Sequence, residues 1–423
     1  LPIHSHVNNH LRSVGLFIDW SKSPQQNESR AVSLDAFEII NEIKISGLRG
    51  CGGAGFSTGK KWDICRSFPS QTKYVICNAD EGEPGTFKDR VLLTELPEKL
   101  LEGMTIAGKC IGSREGIIYL RAEYRYLLKH LEKAIQNFKS AIHPMTFRIQ
   151  LGAGAYVCGE ESALLESLEG KRGEPRIKPP FPVEKGYLGC PTVVNNVESF
   201  VLAAEILRKT ADEFCSHGTP QSPGVRLLSV SGDVSQPGIF EVPWGISVAE
   251  VLSLSQAQDP AFIQVGGPSG ICISLDEVHR KISFEDLPTG GSLMVFSKKR
   301  NQFKILLNFM NFFVAESCGN CTPCRAGNVI LRDLLLKFSL GHGQKEDIEK
   351  LKQWSNIISK TSRCGLGATS PNVLTSSLKA FPDLYQSGLD LNLNEKYNFF
   401  DLAKATADYD QTVQDLVSES GKK

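Results

Sequence analysis

Four cysteines fall in one region of the chain, Cys318, Cys321, Cys324 and Cys364. The first three are spaced C-x2-C-x2-C, a run that wraps one corner of an iron–sulfur cubane and leaves the fourth iron to a remote cysteine. Zinc more often takes paired C-x2-C knuckles or adds histidine. The histidine nearest in sequence, His342, sits in a glycine loop. A [4Fe–4S] cluster is the first expectation and a four-cysteine zinc site the alternative. The other cysteines, Cys51, Cys65, Cys77, Cys110, Cys158, Cys190, Cys215 and Cys272, stand singly and read as small buried apolar residues. With 12 cysteines in 423 residues there is no disulfide scaffold. The pattern suits a reducing cytoplasm and one metal site.

Five loops have ligand-grade chemistry. In the first, Gly50-Cys51-Gly52-Gly53-Ala54-Gly55-Phe56 runs on to Lys60, Lys61 and Trp62. Gly50, Gly52 and Gly55 fit G-x-G-x-x-G, but that fingerprint needs a preceding strand, and 38–45 has helical patterning. What remains is backbone lying flat on a cofactor, with two lysines near for a phosphate. The second loop, with Asn78, Asp80, Glu81 and Glu83, follows a strand, so its carboxylates sit where α/β folds bind ligands. Three carboxylates in four residues repel phosphate and suit hydroxyls and ring N–H groups. The third, with Tyr156, Gly159, Glu160 and Glu161, is again strand, glycine loop and helix start. The fourth is a rigid basic segment in which Lys178 precedes three prolines and Phe181, and the fifth is Asn195-Asn196 entering a helix.

The elements that must position these residues divide the chain. Residues 1–30 are polar and unpatterned, an arm without the basic and apolar regions of a signal peptide. Over 31–222, strands at 74–77, 117–120 and 147–151 alternate with helices at 97–110 and 122–136, predicting a Rossmann-like α/β domain with a largely parallel sheet. A Gly/Pro/Ser break at 215–224 ends it. Short strands at 227–230, 239–242, 262–265 and 293–296, with a capping box at Ser247 and Glu250, predict a β-grasp (ubiquitin-like) α+β domain over 223–300. Phe303, Leu306, Leu307, Met310, Phe313 and Val314 recur at helical spacing, opening a four-helix bundle over 301–390 that carries the cluster. A polar tail follows at 391–423. Equal counts of basic and acidic residues, 47 each, remove the case for a nucleic-acid binder. No apolar run reaches the ~18 residues of a membrane span.

Together these motifs resemble the NADH-binding flavoprotein subunit of respiratory complex I, a family that includes the diaphorase subunits of NAD-reducing [NiFe] hydrogenases and NAD-dependent formate dehydrogenases. The resemblance rests on 48–62, 76–90, 152–162, 170–182, 191–198, 318–327 and 362–367, and covers 35–385 in order. Segments 226–242, 284–296 and 361–371 look closest to the hydrogenase diaphorase. It implies FMN held by Gly50, Gly52, Gly53, Lys61, Asn78, Asp80, Glu81, Tyr156, Gly159, Glu160, Asn195 and Asn196. It implies NADH against Phe56, Glu83, Glu161, Lys178 and Phe181, and a [4Fe–4S] cluster on the four clustered cysteines. The implied activity is that of an NADH-dependent oxidoreductase: a hydride exchanged between NAD(H) and FMN, then single electrons relayed through the cluster. No acid or base is required, since hydride transfer needs geometry. The implied partner is an Fe–S electron-transfer subunit of a cytoplasmic [NiFe] hydrogenase complex, with no nucleic acid and no direct membrane insertion. The equivalent subunit of complex I or formate dehydrogenase, or a nucleotide-binding module that has lost turnover, are the alternatives. Two positions depart from the family: Cys51 stands where Arg is usual, and Ile64 replaces an aromatic that helps sandwich the adenine.

Overall fold

The computed structural model describes residues 10–21 and 29–389. The expected tail at 391–423 lies outside the described residues. Ten strands are described: β1 (Leu11–Ser13), β2 (Tyr74–Ala79), β3 (Glu115–Leu120), β4 (Thr146–Leu151), β5 (Thr192–Asn196), β6 (Val225–Gly232), β7 (Gly238–Pro243), β8 (Pro260–Val265), β9 (Ile271–Ile273) and β10 (Ser292–Ser297). They form two sheets in a mixed α/β architecture.

The first sheet is wholly parallel, in the order β4-β3-β2-β5, with Tyr74 opposite both Glu115 and Thr192. Parallel neighbours need long crossovers, and the helices Pro97–Ile111 and Leu128–Asn137 supply two of them. Central β2 is apolar along most of its length because both of its faces are covered, whereas edge strand β4 alternates exposed and half-buried residues. Helices Pro97–Ile111 and Val197–Arg208 pack closely over the sheet. Gly103 permits this, since a Cβ there would stand 2.0 Å from the Phe200 carbonyl oxygen. Parallel strands gather their C-terminal ends at one edge. The second, third and fifth loops all leave from that edge.

The second sheet is mixed, in the order β1-β7-β6-β10-β8-β9. β6 and β7 pair as an antiparallel hairpin, and β10 runs parallel to β6 and antiparallel to β8. The capping box read at Ser247 and Glu250 is formed and starts helix Val248–Leu254. The N-terminal arm adds β1 beside β7. Glu241 accepts from the backbone N–H groups of Gly15, Leu16, Phe17 and Ile18 at 2.7–3.1 Å, anchoring the arm by that carboxylate. A charged residue in an otherwise apolar strand was the only trace of this in the sequence.

The C-terminal region is helical: Gln302–Glu316, Thr322–Ser339, Lys345–Thr361 and Asn372–Ala380, with short helices Gly365–Thr369 and Pro382–Ser387 between and after them. Phe303, Leu306, Met310 and Phe313 are buried as the stripe predicts, and Phe309 joins them. No described helix is long and apolar enough to cross a membrane.

Candidate functional site

The first loop is closed by Gly50 N–H donating to the Phe56 carbonyl and Thr58 N–H to that of Leu48, both at 2.9 Å. A Cβ on Gly52 would sit 3.3 Å from Asn196 Cβ, so the loop lies against the end of β5. Gly53 is different. Its φ is +141°, and a Cβ there would meet no protein atom within 4 Å, so backbone faces open space. Ser57 caps helix Thr58–Ser67, which carries Lys61 and buried Trp62. The Trp62 indole N–H donates to Asn195 Oδ1 at 3.0 Å. Because an indole can only donate, this bond fixes the amide and leaves Asn195 Nδ2 as the free donor. Cys51 N–H donates to Ser199 Oγ, and burial, with the neighbouring Glu198 carboxylate, pushes its thiol up to about 12.

Asn78 joins the second loop to the third, donating from Nδ2 to the Gly159 carbonyl at 2.8 Å. Asp80 Oδ2 is buried with no hydrogen-bond partner. Burial raises its carboxyl to about 7, partly opposed by the Arg121 guanidinium. Glu81 faces inward: its oxygens accept from Asp89 N–H, Arg90 N–H and the Tyr124 hydroxyl at 2.8–3.1 Å, capping helix Lys88–Glu95. Glu83 accepts from the Tyr156 hydroxyl and from Ser269 N–H, which tie the loop to the connection after β8. Tyr156 N–H in turn donates to Glu316, at the end of helix Gln302–Glu316.

Glu160 caps helix Glu161–Leu168 through Ser162 and Ala163 N–H and pairs with Lys178. Glu161 pairs with both Lys61 (3.2 Å) and Lys178 (3.3 Å). Burial alone would raise the Glu161 carboxyl, but the two ammonium groups outweigh it and hold it below the usual range. Lys61 also donates to the Val194 carbonyl at 3.0 Å. It thus bridges helix and sheet, with its charge met by Glu161. Phe56, Phe181 and Ile64 remain exposed at 50%, 47% and 38%, apolar surfaces open for stacking.

A buried charge cluster beneath these loops escaped the sequence reading. Lys88 Nζ lies 2.6 Å from Asp89, 2.9 Å from Glu198 and 3.2 Å from Asn196 Oδ1. Asn196 Nδ2 donates to Asp89 at 2.5 Å, and its Oδ1 also caps helix Val197–Arg208. Its amide is thus committed internally, unlike that of Asn195. Arg226 stands over Trp244 and 3.7 Å from Glu198. The signal available was Glu198 inside an apolar helix.

The four clustered cysteines line one small, closely walled pocket together with Val157, Pro175, Asn320, Arg363 and Leu366. Among the described residues, no three His, Cys, Asp or Glu side chains converge to hold a single metal ion. The lining supplies four thiols and no histidine, three of them from the C-x2-C-x2-C run, a donor set that fits a [4Fe–4S] cluster. Cys324 Sγ is met by Ser317 Oγ (3.3 Å) and Asn328 Nδ2 (3.5 Å), and Asn328 is fixed by Ser370. Leu366 and Gly367 N–H groups, at the start of helix Gly365–Thr369, face Cys364. Gly319, at φ +77°, turns the chain between Cys318 and Cys321. Arg325 holds that turn by donating to the Gly319 carbonyl at 2.6 Å. Val157 belongs to the turn Tyr156–Gly159, so the cavity abuts the third loop.

Residues 43–205 match the family profile described as the Nuo51 FMN-binding domain, and 304–388 that of the NADH-ubiquinone oxidoreductase-F iron-sulfur binding region. The chain is 50% identical to the NAD-reducing hydrogenase HoxS subunit alpha of Cupriavidus necator, over 90% of this chain and 65% of that longer polypeptide. It is 38% identical to an NADH-quinone oxidoreductase subunit of Streptomyces coelicolor, covering 90% and 89%. A solved NAD+-reducing [NiFe]-hydrogenase in the H2-reduced state superposes with a TM-score of 0.87 at 41% identity, covering 97% of this chain and 72% of that one.

Proposed function

The chain belongs to the NADH-binding, FMN- and iron–sulfur-carrying flavoprotein family that includes the matched NADH-quinone oxidoreductase subunit, and from that membership we propose that it is the diaphorase subunit of an NAD-reducing hydrogenase. The observation that carries the reading is contiguity: Val157 lies between Tyr156 and Gly159 of the proposed flavin loop and also lines the four-cysteine cavity. FMN supplies hydride acceptance from NADH, and a [4Fe–4S] cluster supplies one-electron acceptance, which together turn a two-electron donor into single electrons.

The residues fit both groups. Gly53 offers backbone to open space, Asp80 Oδ2 is buried without a partner, and the Trp62 bond leaves Asn195 Nδ2 as a donor; these three are the strongest FMN candidates. Asn78 and Gly159 hold the wall between two loops. Glu81, Glu160 and Asn196 act by fixing the loops' helices, so we assign them to positioning. Lys61 and Lys178, paired with Glu160 and Glu161, form a neutral clamp at the rim, leaving Phe56 and Phe181 as stacking faces for the nicotinamide nucleotide. Glu83 with Tyr156 and Ser269 fixes the opposite wall. Cys318, Cys321, Cys324 and Cys364 would hold the cluster. In this reading the parallel sheet is a Rossmann-like domain over 31–222, the mixed sheet a β-grasp domain over 223–300, and the helices over 301–390 the cluster bundle.

The identity to the Streptomyces coelicolor protein over most of its length favours one second reading, the equivalent subunit of a quinone reductase. Co-expression with candidate partner genes and assay of H2-dependent NAD+ reduction separates them. Activity with a nickel-binding partner supports the hydrogenase reading. Assembly only with quinone-reductase components, and no H2-dependent activity, refutes it.

A further inference from the structure

The first glycine loop takes part of its shape from the region of the mixed sheet, which carries none of the proposed cofactor contacts. Gly55 has φ +63°, and a Cβ there would stand 2.4 Å from Phe284 Cε1, so bare backbone lies against the edge of that ring. The ring is itself held. The Arg49 guanidinium lies over it at 4.6 Å, and the Trp244 ring centroid is 4.5 Å away. Trp244 is buried, with the Arg226 guanidinium over it at 4.6 Å, and Arg226 stands beside Glu198. Phe284 N–H donates to Ser222 Oγ at 2.9 Å, and the adjoining Glu285 accepts from Thr219 Oγ1 at 2.6 Å and from Ser222 Oγ. The base of the loop rests on the same segment. A Cβ on Gly47 would meet Pro223 Cγ at 2.6 Å, and Arg49 Nη2 donates to the Gln221 carbonyl at 3.4 Å.

Phe56 follows Gly55 directly. Its carbonyl is fixed by the Gly50 N–H at 2.9 Å, while its own side chain is left 50% exposed. The backbone on either side of the Phe56 side chain is therefore held, before it by Phe284 and after it by Gly50. A cation over a ring and a close ring pair fix orientation as well as burying area. Nucleotide that binds to a face already aimed has less ordering to impose than nucleotide that must recruit one. We propose that Phe284 is a positioning residue for the nicotinamide nucleotide: braced by Arg49 and Trp244, it seats the Gly55 backbone and so aims Phe56 at NADH. The proposal deepens the diaphorase reading and rests on it, since that reading makes Phe56 a stacking face.

The test uses the full chain loaded with FMN and cluster. It reads NADH oxidation by ferricyanide together with amide hydrogen exchange in the first loop. Phe284→Ala should raise KM for NADH several-fold with kcat unchanged, because the nucleotide meets a looser face while the hydride step is the same. The Gly50 and Thr58 amides, which close the loop, should exchange faster. The decisive arm is a double-mutant cycle with Phe56→Ala. Without the Phe56 ring nothing is left to aim, so adding Phe284→Ala should raise KM no further. Phe284→Leu keeps the contact filled but lacks the flat ring. It serves as the second variant should Phe284→Ala lose FMN, and it should show the same pattern with FMN content intact. Unchanged KM in both Phe284 variants, loop exchange as slow as in wild type, or a Phe284 effect of equal size with and without Phe56 would overturn the proposal. Loss of FMN from both variants would also overturn it, leaving Phe284 as ordinary packing. Failure of the underlying reading shows separately: Phe56→Ala alone would then leave KM at its wild-type value, and the proposal would fall with it.

Discussion

At the residue scale, two of the three strongest flavin candidates make opposite demands on the protein. Gly53 must lack a side chain: its φ of +141° and the open space beside it mean a Cβ would be strained and would stand where the ligand lies. Gly53→Val should therefore abolish FMN retention, measured as flavin fluorescence after acid release, and wild-type occupancy would refute the cradle. Asp80, by contrast, is a cost to the apoprotein. Its carboxyl is raised from 3.8 to about 7, chiefly by burial. A raised carboxyl means the unfolded chain binds fewer protons than the folded one across that window, so stability falls as pH rises through it. Asp80→Asn should thus melt higher than wild-type apoprotein at pH 8, with the advantage fading toward pH 4. Equal melting temperatures at both pH values would mean that water already satisfies Oδ2. Ile64, 38% exposed on the same helix as Lys61, is the third case. Ile64→Phe should lower KM for NADH several-fold, since an added aromatic face contributes about 0.5–1.5 kcal/mol of stacking. kcat should stay unchanged because uniform binding leaves the hydride step alone.

At the element scale, the helix beginning at Lys88 depends on a residue that the resemblance assigned to the ligand. Both Glu81 oxygens serve that helix and Tyr124. Glu81→Ala should destabilise even the apoprotein by about 1–3 kcal/mol, the cost of stranding buried donors, read by urea unfolding. Unchanged stability with lost FMN would return Glu81 to the ligand. Seven of the ten described strands and the long helices were legible in the sequence because their signals are local, whereas β1, β5 and β9 were not read. The apolar run of β2, the capping box at Ser247 and the stripe from Phe303 each declare an element without reference to distant residues. What was not legible is how side chains pair across the fold. Glu81 and Glu160 lie in glycine loops and Asn196 at a strand end, and pattern alone cannot tell an acidic or amide group facing a ligand from one capping a helix. The Lys88, Asp89, Glu198 and Arg226 cluster unites three separate elements, so no window of sequence contains it.

At the scale of the whole molecule, the account turns on two sites being neighbours. Tyr156 N–H reaches Glu316, Ser317 beside it reaches Cys324, and Val157 lines the cysteine cavity, so the loop at the parallel sheet is braced against the helical region. The sequence named both sites, from cysteine spacing and from strand–loop–helix order, but their contact needs the fold. Contact predicts electron exchange within one chain, and Cys324→Ser should cut it while leaving the glycine loops folded. Anaerobic titration of the loaded protein with NADH, followed by visible absorption and by electron paramagnetic resonance, measures this directly. Wild type should accept about three electrons per chain, two for the flavin and one for the cluster, with flavin bleaching and a reduced iron–sulfur signal rising together. Cys324→Ser should accept about two, with flavin bleaching alone. A wild-type flavin that bleaches while an intact cluster stays oxidised would contradict the account.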